Sequence, residues 1–479
     1  MKCTTVIALW ATIISTTAGL TLRSKSNREA PRVVGMQTQR RTVAQPHKRD
    51  QLRRRGTVTA SLDNEETLYF INATLGTPAQ SVRLHIDTGS SDLWVNTDTS
   101  TLCTGSSKPC AFAGTYNAND SSTYKYVGSW FNISYVDGSA SSGDYVTDTM
   151  KLGGTTISDL QFGIGYKSSS AQGILGIGYT ANEVQVGRAG LSPYNNLPAK
   201  MAADGTIQSN AYSLWLNDLD ANTGSILFGG VDTEQFEGEL KTLPIQAEGA
   251  IYAEFLITLT GLTMGTTEIA SNEALPVLLD SGSSLTYLPD AMVETIYKAV
   301  SAQYDSADGA AYIPCSAANS DDTMRFNFTE PVISVAMNEL VLDLVTASGK
   351  RPTFSDGTEA CLFGIAPAGT GTHVLGDTFL RSAYVVYDLA NNEISLAQTT
   401  FNSTTHNVLE IGTGTNAVPS ATSVANAVSA TGIGQASSTT DNFGVSNGAQ
   451  AGFHGVSMAA VVAAAVAGAF GVGVTLGLI

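Results

Sequence analysis

Short runs of apolar or alternating residues recur along the middle of the chain, and Gly, Asn and Asp separate them. Such runs predict β-strands joined by turns. The clearest runs are Thr67–Leu75, Ser81–Ile86, Tyr145–Leu152, Ile251–Leu262, Pro276–Leu279 and Tyr384–Asp388. A helical spacing of apolar residues is clearest over Ala291–Tyr304 and Ser192–Ala203. The pattern therefore predicts a mostly β body over residues 66–400.

One short pattern occurs twice in this body. The two copies are an apolar strand followed by Asp87-Thr88-Gly89-Ser90-Ser91 or by Asp280-Ser281-Gly282-Ser283-Ser284. An apolar-apolar-Gly segment follows each copy and ends at Gly176 or Gly376, 89 and 96 residues after the Asp. Two similar units in similar order predict two homologous lobes, over residues 56–245 and 246–401, with a cleft between them.

The two Asp residues, Asp87 and Asp280, are candidates for a catalytic pair. Two facing carboxyls cannot both ionise cheaply, so one acts as a base toward water while the other acts as an acid. The neighbouring glycines are expected to allow each loop to turn sharply. The hydroxyl-bearing neighbours are expected to form hydrogen bonds between the lobes or to donate hydrogen bonds to the carboxylates. These supporting residues are Thr88, Gly89, Ser90, Ser281, Gly282 and Ser283.

Over residues 66–400 the chain resembles the pepsin-like aspartic endopeptidases, because both Asp motifs have their apolar-apolar-Gly partner. In that family the shared proton of the two Asp residues is an established property. The resemblance implies a bilobal fold, polypeptide substrates, hydrolysis at acidic pH and no cofactor. A flap hairpin is also implied, and Ile133–Ser139 is similar to it. The implied substrate-binding residues of this flap are Tyr135, Asp137, Gly138 and Ser139.

Asp137 is placed by this resemblance near the substrate residue that precedes the cleaved bond. A carboxylate there would favour Lys or Arg. The alternative is a solvated turn residue in an Asp-Gly pair.

His85, on the strand before Asp87, is interpreted as structural. Trp94 is interpreted as a core residue behind the flap.

The N-terminal residues differ from the body. Residues 1–19 combine an early Lys, a short apolar run and small residues, which predicts a secretory signal peptide; a buried helix is the alternative. Residues 20–55 are basic and contain Lys48-Arg49 and Arg53-Arg54-Arg55. Paired basic residues in a secreted chain predict processing, so this segment is interpreted as a pro-segment, with a solvated basic linker as the alternative.

The C-terminal residues differ as well. Residues 402–447 are rich in Ser, Thr, Ala and Gly, which predicts an extended stalk. A GPI-attachment signal is predicted from small residues at Asn447, a following spacer and an apolar tail. In this prediction residues 448–479 are removed, and Asn447 is joined to an anchor in the outer membrane leaflet. A permanent tail anchor is the alternative.

Cysteines and sequons agree with secretion. Of five Cys, Cys3 lies in the predicted signal, and the remaining four allow three pairings. Proximity favours Cys103–Cys110 and leaves Cys315–Cys361, and the resemblance implies the same bridges, one in each lobe. Sparse His and the lack of a CxxC motif argue against a zinc site. N-glycosylation sequons stand at Asn72, Asn119, Asn132, Asn327 and Asn402.

Charge separates the chain into two parts. The 479 residues contain 25 Lys+Arg and 42 Asp+Glu, a net charge of −17, which argues against a nucleic-acid binder. Residues 1–55 carry +10 and the remainder carries −27. We therefore expect the pro-segment to be attracted to the body and to act as its inhibitor. Nothing in the sequence indicates an oligomer, so a monomer is expected.

Together these features predict a secreted, cell-surface aspartic endopeptidase. The pro-segment and the GPI signal narrow the resemblance to the fungal yapsin-type, surface-anchored enzymes, although the long acidic insertion that some of them carry between the first two Cys is absent. A non-catalytic surface-binding or cell-wall protein on the same scaffold is the alternative. A glycosidase with paired carboxylates would leave the repeated Gly turns unexplained.

Overall fold

The computed structural model describes most of the chain between residues 31 and 433. The described ranges are 31–41, 68–135, 139–221, 223–306, 308–344 and 351–433. The predicted signal peptide, most of the pro-segment, Asp137, Gly138 and Asn447 lie outside them. Within these ranges, the helices are all too short or too polar to cross a membrane.

Strands dominate the described residues, as the alternating pattern predicts. Those of the first half are β1 (Val34–Arg41), β2 (Leu68–Leu75), β3 (Gln80–Asp87), β4 (Leu93–Asn96), β5 (Lys125–Ser134), β6 (Ala140–Leu152), β7 (Thr155–Ser168), β8 (Gly173–Gly176), β9 (Ala211–Trp215), β10 (Thr223–Phe228), β11 (Gly230–Asp232) and β12 (Leu240–Pro244). Those of the second half are β13 (Leu256–Met264), β14 (Thr267–Leu279), β15 (Thr286–Leu288), β16 (Gln303–Asp305), β17 (Ala310–Pro314), β18 (Thr323–Asn327), β19 (Val332–Ala336), β20 (Val341–Leu342), β21 (Ala360–Phe363), β22 (Ile365–Pro367), β23 (Val374–Leu375), β24 (Ala383–Asp388), β25 (Glu393–Gln398), β26 (Val408–Glu410) and β27 (Ala421–Ser423).

Helices are short and lie between the strands. They are α1 (Val184–Ala189), α2 (Leu197–Ala203), α3 (Asp290–Val300), α4 (Met337–Leu340) and α5 (Asp377–Leu380), with 3-10 turns at Pro109–Ala111, Ala118–Asp120, Thr180–Asn182 and Cys315–Asn319.

The two predicted helices are present but shorter than expected. α2 begins at Leu197 rather than at Ser192, and Pro198 occupies its first turn, where the missing N–H costs nothing. α3 ends at Val300 because Ser301 adopts a left-handed conformation with φ of +58°.

The predicted strand Ile251–Leu262 begins late in the structure, at Leu256. Residues 248–251 instead close a tight turn around Gly249, whose φ is +64°, and Glu248 bridges to Ile251. The alternating pattern did not reveal this turn, because Ile251 and Tyr252 look like strand residues although both are exposed.

A fourteen-stranded sheet joins the two lobes. Its spatial order is β27-β12-β25-β24-β9-β10-β1-β2-β3-β8-β4-β7-β6-β5. β9 from the first half of the chain pairs with β24 from the second half, with Tyr212 opposite Tyr387. The second lobe is built on a seven-stranded sheet, β19-β18-β13-β14-β23-β15-β22, and a four-stranded sheet, β16-β17-β21-β20. The two Asp motifs therefore leave different sheets and meet where the lobes join.

Part of the predicted pro-segment is a strand of the central sheet. β1 pairs antiparallel with β10, from Val34 opposite Phe228 to Gln39 opposite Thr223, and it also pairs with β2. Thr38 is fully buried, and its Oγ1 accepts a hydrogen bond from Gly224 N at 3.0 Å. At residues 34–41 the structure thus differs from the alternative of a solvated linker.

The first part of the predicted stalk packs on the body, and we call residues 402–433 the C-terminal strap. β26 pairs with β11 and β27 pairs in parallel with β12. Ile411 is fully buried and Val418 is 5% exposed. The expectation of an extended stalk is therefore wrong for this segment, because a few spaced aliphatic residues in a low-charge sequence are enough to bind it to a sheet edge.

Both expected disulfides are present. Cys103 and Cys110 are joined in the first lobe with an S–S distance of 1.97 Å, and Cys315 and Cys361 in the second with 1.99 Å. Each bridge thus links two segments of a single lobe, and the second joins the 3-10 turn at Cys315 to β21.

Candidate active site

Asp87 and Asp280 each stand at the end of a buried strand where the lobes meet. Both side chains are fully buried. β8 runs parallel to β3 and places Gly176 opposite Asp87, while β23 runs parallel to β14 and places Leu375 opposite Leu279. The apolar-apolar-Gly segments therefore lie directly beside the two Asp strands, as their repetition suggests.

The two carboxyls converge on the same small space. Asp87 Oδ1 accepts a hydrogen bond from Gly89 N at 2.9 Å, and Asp280 Oδ1 accepts one from Gly282 N at 2.8 Å. A Cβ added to Gly282 would lie 2.5 Å from Asp87 Oδ1 and 2.9 Å from Asp280 Oδ1. A Cβ added to Gly89 would lie 2.6 Å from Asp280 Oδ1. Only glycine at both positions lets each loop come this close to the opposite carboxyl.

The other two carboxyl oxygens are held by serines. Ser90 Oγ donates to Asp87 Oδ2 at 2.6 Å, and Ser283 Oγ donates to Asp280 Oδ2 at 2.8 Å. The two halves of the site are therefore related by an approximate twofold arrangement. Each carboxyl is fixed by one backbone N–H and one hydroxyl, which holds it in one orientation.

Four hydrogen bonds cross between the two Asp loops. Thr88 Oγ1 donates to Leu279 O at 2.9 Å and accepts from Ser281 N at 3.0 Å. Ser281 Oγ donates to Ile86 O at 3.0 Å and accepts from Thr88 N at 3.2 Å. Because Thr88 is 2% exposed and Ser281 fully buried, water does not compete for these groups. We call this set the cross-lobe hydrogen bonds.

Aromatic rings support the loops from below. Tyr212 Oη donates to Ile177 O at 3.1 Å, next to the segment that flanks Asp87. Tyr387 stacks on Tyr212 with ring centroids 5.0 Å apart, and Phe255 meets Tyr387 edge-on at 4.7 Å. This packed group draws on both halves of the chain, so it fixes the relative position of the lobes beneath the carboxyls.

The described flap residues fold back onto the first lobe. Tyr135 is 4% exposed, and its Oη accepts a hydrogen bond from Trp94 Nε1 at 2.7 Å. Tyr135 N donates to Ser139 O at 2.8 Å across the tip of the hairpin formed by β5 and β6. Trp94 is fully buried, as expected, but it also holds the flap tyrosine by a polar bond.

A buried carboxyl network beside the flap was missed by sequence reasoning. Asp92 Oδ1 accepts hydrogen bonds from Tyr145 Oη at 2.6 Å and from Tyr194 Oη at 2.9 Å, and Asp92 Oδ2 accepts one from Val184 N at 2.9 Å. Burial raises the pKa of Asp92, although these bonds act in the opposite direction. No spacing in the sequence relates Asp92 to its partners, because only the fold brings them together.

Glu183 belongs to the same network. Its Oε2 accepts a hydrogen bond from Tyr194 N at 2.8 Å, and the side chain is fully buried. Burial, followed by the charge of Asp92, raises the pKa of Glu183 to about 10. Glu183 is therefore a neutral acid throughout the acidic and neutral range.

The remaining residues singled out from the sequence are His85 and the sequon asparagines. His85 is 2% exposed and packs near the ring of Phe70, with centroids 5.8 Å apart. Asn327 is half-buried, and its Oδ1 accepts a hydrogen bond from Thr329 N at 3.0 Å. The exposed sequon asparagines are Asn72, Asn119, Asn132 and Asn402.

Comparison with known proteins gives a consistent assignment. A family model described as eukaryotic aspartyl protease matches residues 68–399. The chain is 56% identical over 418 residues to the probable aspartic-type endopeptidase opsB of Aspergillus oryzae, which covers 86% of this chain and 85% of that protein. It is 36% identical over 363 residues to the aspartic proteinase yapsin-3 of Saccharomyces cerevisiae, covering 72% and 69%. It is 39% identical over 352 residues to secreted aspartic protease 8 of Candida albicans, covering 72% and 79%.

A solved structure supports the fold. The crystal structure of an aspartic proteinase from Irpex lacteus superposes with a TM-score of 0.58 and 22% identity, covering 78% of this chain and all of that chain. This likeness confirms a mostly β, two-lobed architecture.

The raised pKa of Glu183 predicts a pH-dependent effect of Glu183→Gln on stability. Because its pKa rises from the usual 4.5 to about 10 on folding, its contribution is complete below pH 4.5 and is lost as the pH rises toward 10. Glutamine imitates the neutral acid, so the melting temperature of the variant relative to wild type should increase between pH 4 and pH 7. Calorimetry at both values, with the exposed Glu294→Gln as control, checks this. A difference that stays constant with pH would contradict it.

Proposed function

The chain belongs to the eukaryotic aspartyl proteases and is an aspartic-type endopeptidase, and from that premise we propose that Asp87 and Asp280 are its catalytic pair. The observation that supports this most strongly is the convergence of both carboxyls on one point beside Gly282. Because two facing carboxylates cannot both ionise cheaply, the proposed pair holds one proton between them. One is then available as a base and the other as an acid in the same complex.

The proposed reaction uses water as the nucleophile. The ionised carboxyl takes a proton from a water molecule, and the water oxygen bonds to the carbonyl carbon of the peptide. The protonated carboxyl gives its proton to the carbonyl oxygen. In the collapse of this intermediate the protonated carboxyl gives its proton to the amine nitrogen, the ionised carboxyl takes a proton from one hydroxyl of the intermediate, and the C–N bond breaks. The pair then again holds one proton. The cross-lobe hydrogen bonds support this step because they keep both carboxyls oriented before substrate binds.

We also propose that the pro-segment is held on the body as an inhibitor until it is cleaved at Lys48-Arg49 or Arg53-Arg54-Arg55. Two charged contacts support the attraction expected from the sequence. Arg32 Nε lies 3.2 Å from Glu410 Oε1 on the C-terminal strap. The Arg41 guanidinium lies 4.4 Å from the ring centroid of Phe112. These contacts, added to the pairing of β1, favour a pro-segment that stays on the folded body.

The proposed location is the secretory pathway and the cell surface. The secreted and yapsin relatives support passage through that pathway. We propose that a GPI anchor is attached at Asn447 and holds the enzyme to the outer membrane leaflet, and that the enzyme acts as a monomer. The C-terminal strap ends on the second lobe, where Thr431 N donates to Ala274 O at 2.9 Å, so the tether would leave from that side.

Asp87→Asn and Asp280→Asn test the catalytic pair. Asparagine keeps the shape but replaces one acceptor oxygen with an NH2 donor and cannot act as a base, so casein hydrolysis at pH 4 should fall at least about 100-fold in each variant. The wild-type activity, measured after removal of the pro-segment, should be blocked by pepstatin. Asp159→Asn, an exposed change in the first lobe, is the matched control and should stay near wild type. Undiminished hydrolysis by Asp87→Asn would refute the assignment; a processed wild type that cleaves nothing would favour a non-catalytic binding protein.

Asp137 is the proposed source of a preference for basic residues before the cleaved bond. If its carboxylate binds Lys or Arg of the substrate, Asp137→Thr should lower kcat/KM for those peptides about 10-fold and should affect peptides with Leu or Phe much less. A peptide library that varies only this residue measures the ratio, with Asp321→Thr as a remote control. Equal losses for basic and apolar peptides would leave Asp137 as an ordinary turn residue.

A further inference from the structure

The outer face of β5 places a glycosylation sequon beside an exposed tryptophan. Phe131 and Ile133 point inward and are 1% and 0% exposed. Trp130 and Asn132 alternate with them and face solvent. Two residues span about 7 Å along a strand, so a sugar attached to Asn132 is within reach of the Trp130 ring. The sequon Asn132-Ile133-Ser134 therefore has an aromatic neighbour on its own face.

The Trp130 ring is held in place rather than free to move. The pairing of β5 with β6 shifts register between Gly128 and Phe131, which is a β-bulge. The indole lies over Gly128, where an added Cβ would be 1.8 Å from the ring. Its centroid is also 6.5 Å from that of Tyr145, yet Trp130 is still 36% exposed. The ring thus offers a fixed apolar surface to an external group.

Hydroxyl and carboxylate groups of β5, β6 and β7 form a hydrogen-bonded set that includes Ser129, the residue before Trp130. Ser129 Oγ donates to Asp144 Oδ1 at 2.5 Å, and Tyr166 Oη donates to Asp144 Oδ2 at 2.8 Å. The Tyr126 hydroxyl lies 2.9 Å from Ser129 Oγ. The exposed aromatic ring of Trp130 is chemically suited to one face of a sugar ring. A pyranose has a C–H face that packs on the electron-rich face of an aromatic ring, and hydroxyls at its rim that form hydrogen bonds.

We propose that Asn132 carries an N-linked glycan whose first N-acetylglucosamine packs on Trp130 and stabilises the flap hairpin. The modification joins the Asn132 side-chain nitrogen to C1 of that sugar. The nitrogen loses one proton, and the lipid diphosphate of the lipid-linked oligosaccharide donor leaves with the bonding electrons. The proposal rests on the proposed passage through the secretory pathway, where such donors are used.

The position of Asn132 gives the sugar a role in the flap. β5 leads directly into Tyr135, and the inner face of β5 already packs on Trp94 and Tyr145 through Phe131. A sugar on Trp130 would cover the outer face of the same strand. The strand would then be packed on both sides, so local opening of the β5–β6 hairpin should become rarer.

A comparison of glycosylation and stability in the full chain tests this proposal. The protein is secreted from a glycosylating host, and peptide mass spectrometry measures occupancy of Asn132. Melting temperatures are then compared for wild type, Asn132→Gln, Trp130→Leu and the double variant. Loss of the glycan should lower the melting temperature by about 2 °C when Trp130 is present and by less than about 0.5 °C when it is absent. Amide exchange in β5 and β6 should become faster in Asn132→Gln.

Enzymatic trimming of the wild type provides the same comparison without a substitution at Trp130. An endoglycosidase that leaves the first N-acetylglucosamine should keep the melting temperature, whereas an amidase that removes every sugar should lower it. Trp130→Phe, which keeps an aromatic face, should preserve most of the glycan effect. Asn119→Gln is the matched control, because residue 117, two before its sequon, is Asn and offers no aromatic surface; its effect should not depend on Trp130.

Three results separate the outcomes. An occupied Asn119 with an unoccupied Asn132 would overturn this proposal and leave the proposed secretion intact. No occupied sequon at all would contradict the proposed secretion as well. A destabilisation by Trp130→Leu that is equal with and without the glycan would overturn the stacking and leave Trp130 as a surface for another partner, such as a wall polysaccharide.

Discussion

The exchange of hydrogen bonds between Thr88 and Ser281 is the constraint on which the proposed site depends. The two residues are 193 positions apart and leave different sheets, so nothing local keeps Asp87 near Asp280. Each hydroxyl accepts an N–H and donates to a carbonyl of the opposite loop, so four buried polar groups are satisfied at once. Loss of one hydroxyl would leave two of them without partners at a cost of about 1–3 kcal/mol each. The cross-lobe hydrogen bonds are therefore strong, because they are buried away from water and every group in them has a partner.

The flap is organised on two faces of one strand. The inner face of β5 packs toward Trp94 and the network of the buried Asp92, which adjoin the Asp87 loop. The outer face of β5 presents Trp130 and Asn132 to solvent. Trp94 and Asp92 lie on either side of Leu93 at the start of β4, so the polar bond to Tyr135 and the carboxyl network share one short segment. The flap is thus held by the same part of the first lobe that carries the Asp87 loop.

The twofold part of the site could be predicted from the sequence, whereas its supporting network could not. The Asp-Thr-Gly and Asp-Ser-Gly motifs repeat, and each residue has a local reason to be there. Glu183 has none: burial, followed by the charge of Asp92, raises its pKa, and the fold rather than any sequence pattern places the two residues together. Composition gave a wrong prediction for the C-terminal strap for a related reason. Ile411 is fully buried and Val418 is nearly so, within a segment whose composition is otherwise that of a linker. The sequence identifies β1 only as part of a basic pro-segment, because its pairing with β10 involves residues 184 to 194 positions away.

The most direct test of this account is the turnover number of Thr88→Val beside that of Thr88→Ser. Valine keeps the volume and removes the hydroxyl, and serine keeps the hydroxyl. The account predicts that kcat on a peptide substrate falls about 10- to 100-fold in Thr88→Val, with KM nearly unchanged, and stays near wild type in Thr88→Ser. A Thr88→Val enzyme that folds and keeps the wild-type kcat would show that the carboxyl pair does not depend on the cross-lobe hydrogen bonds.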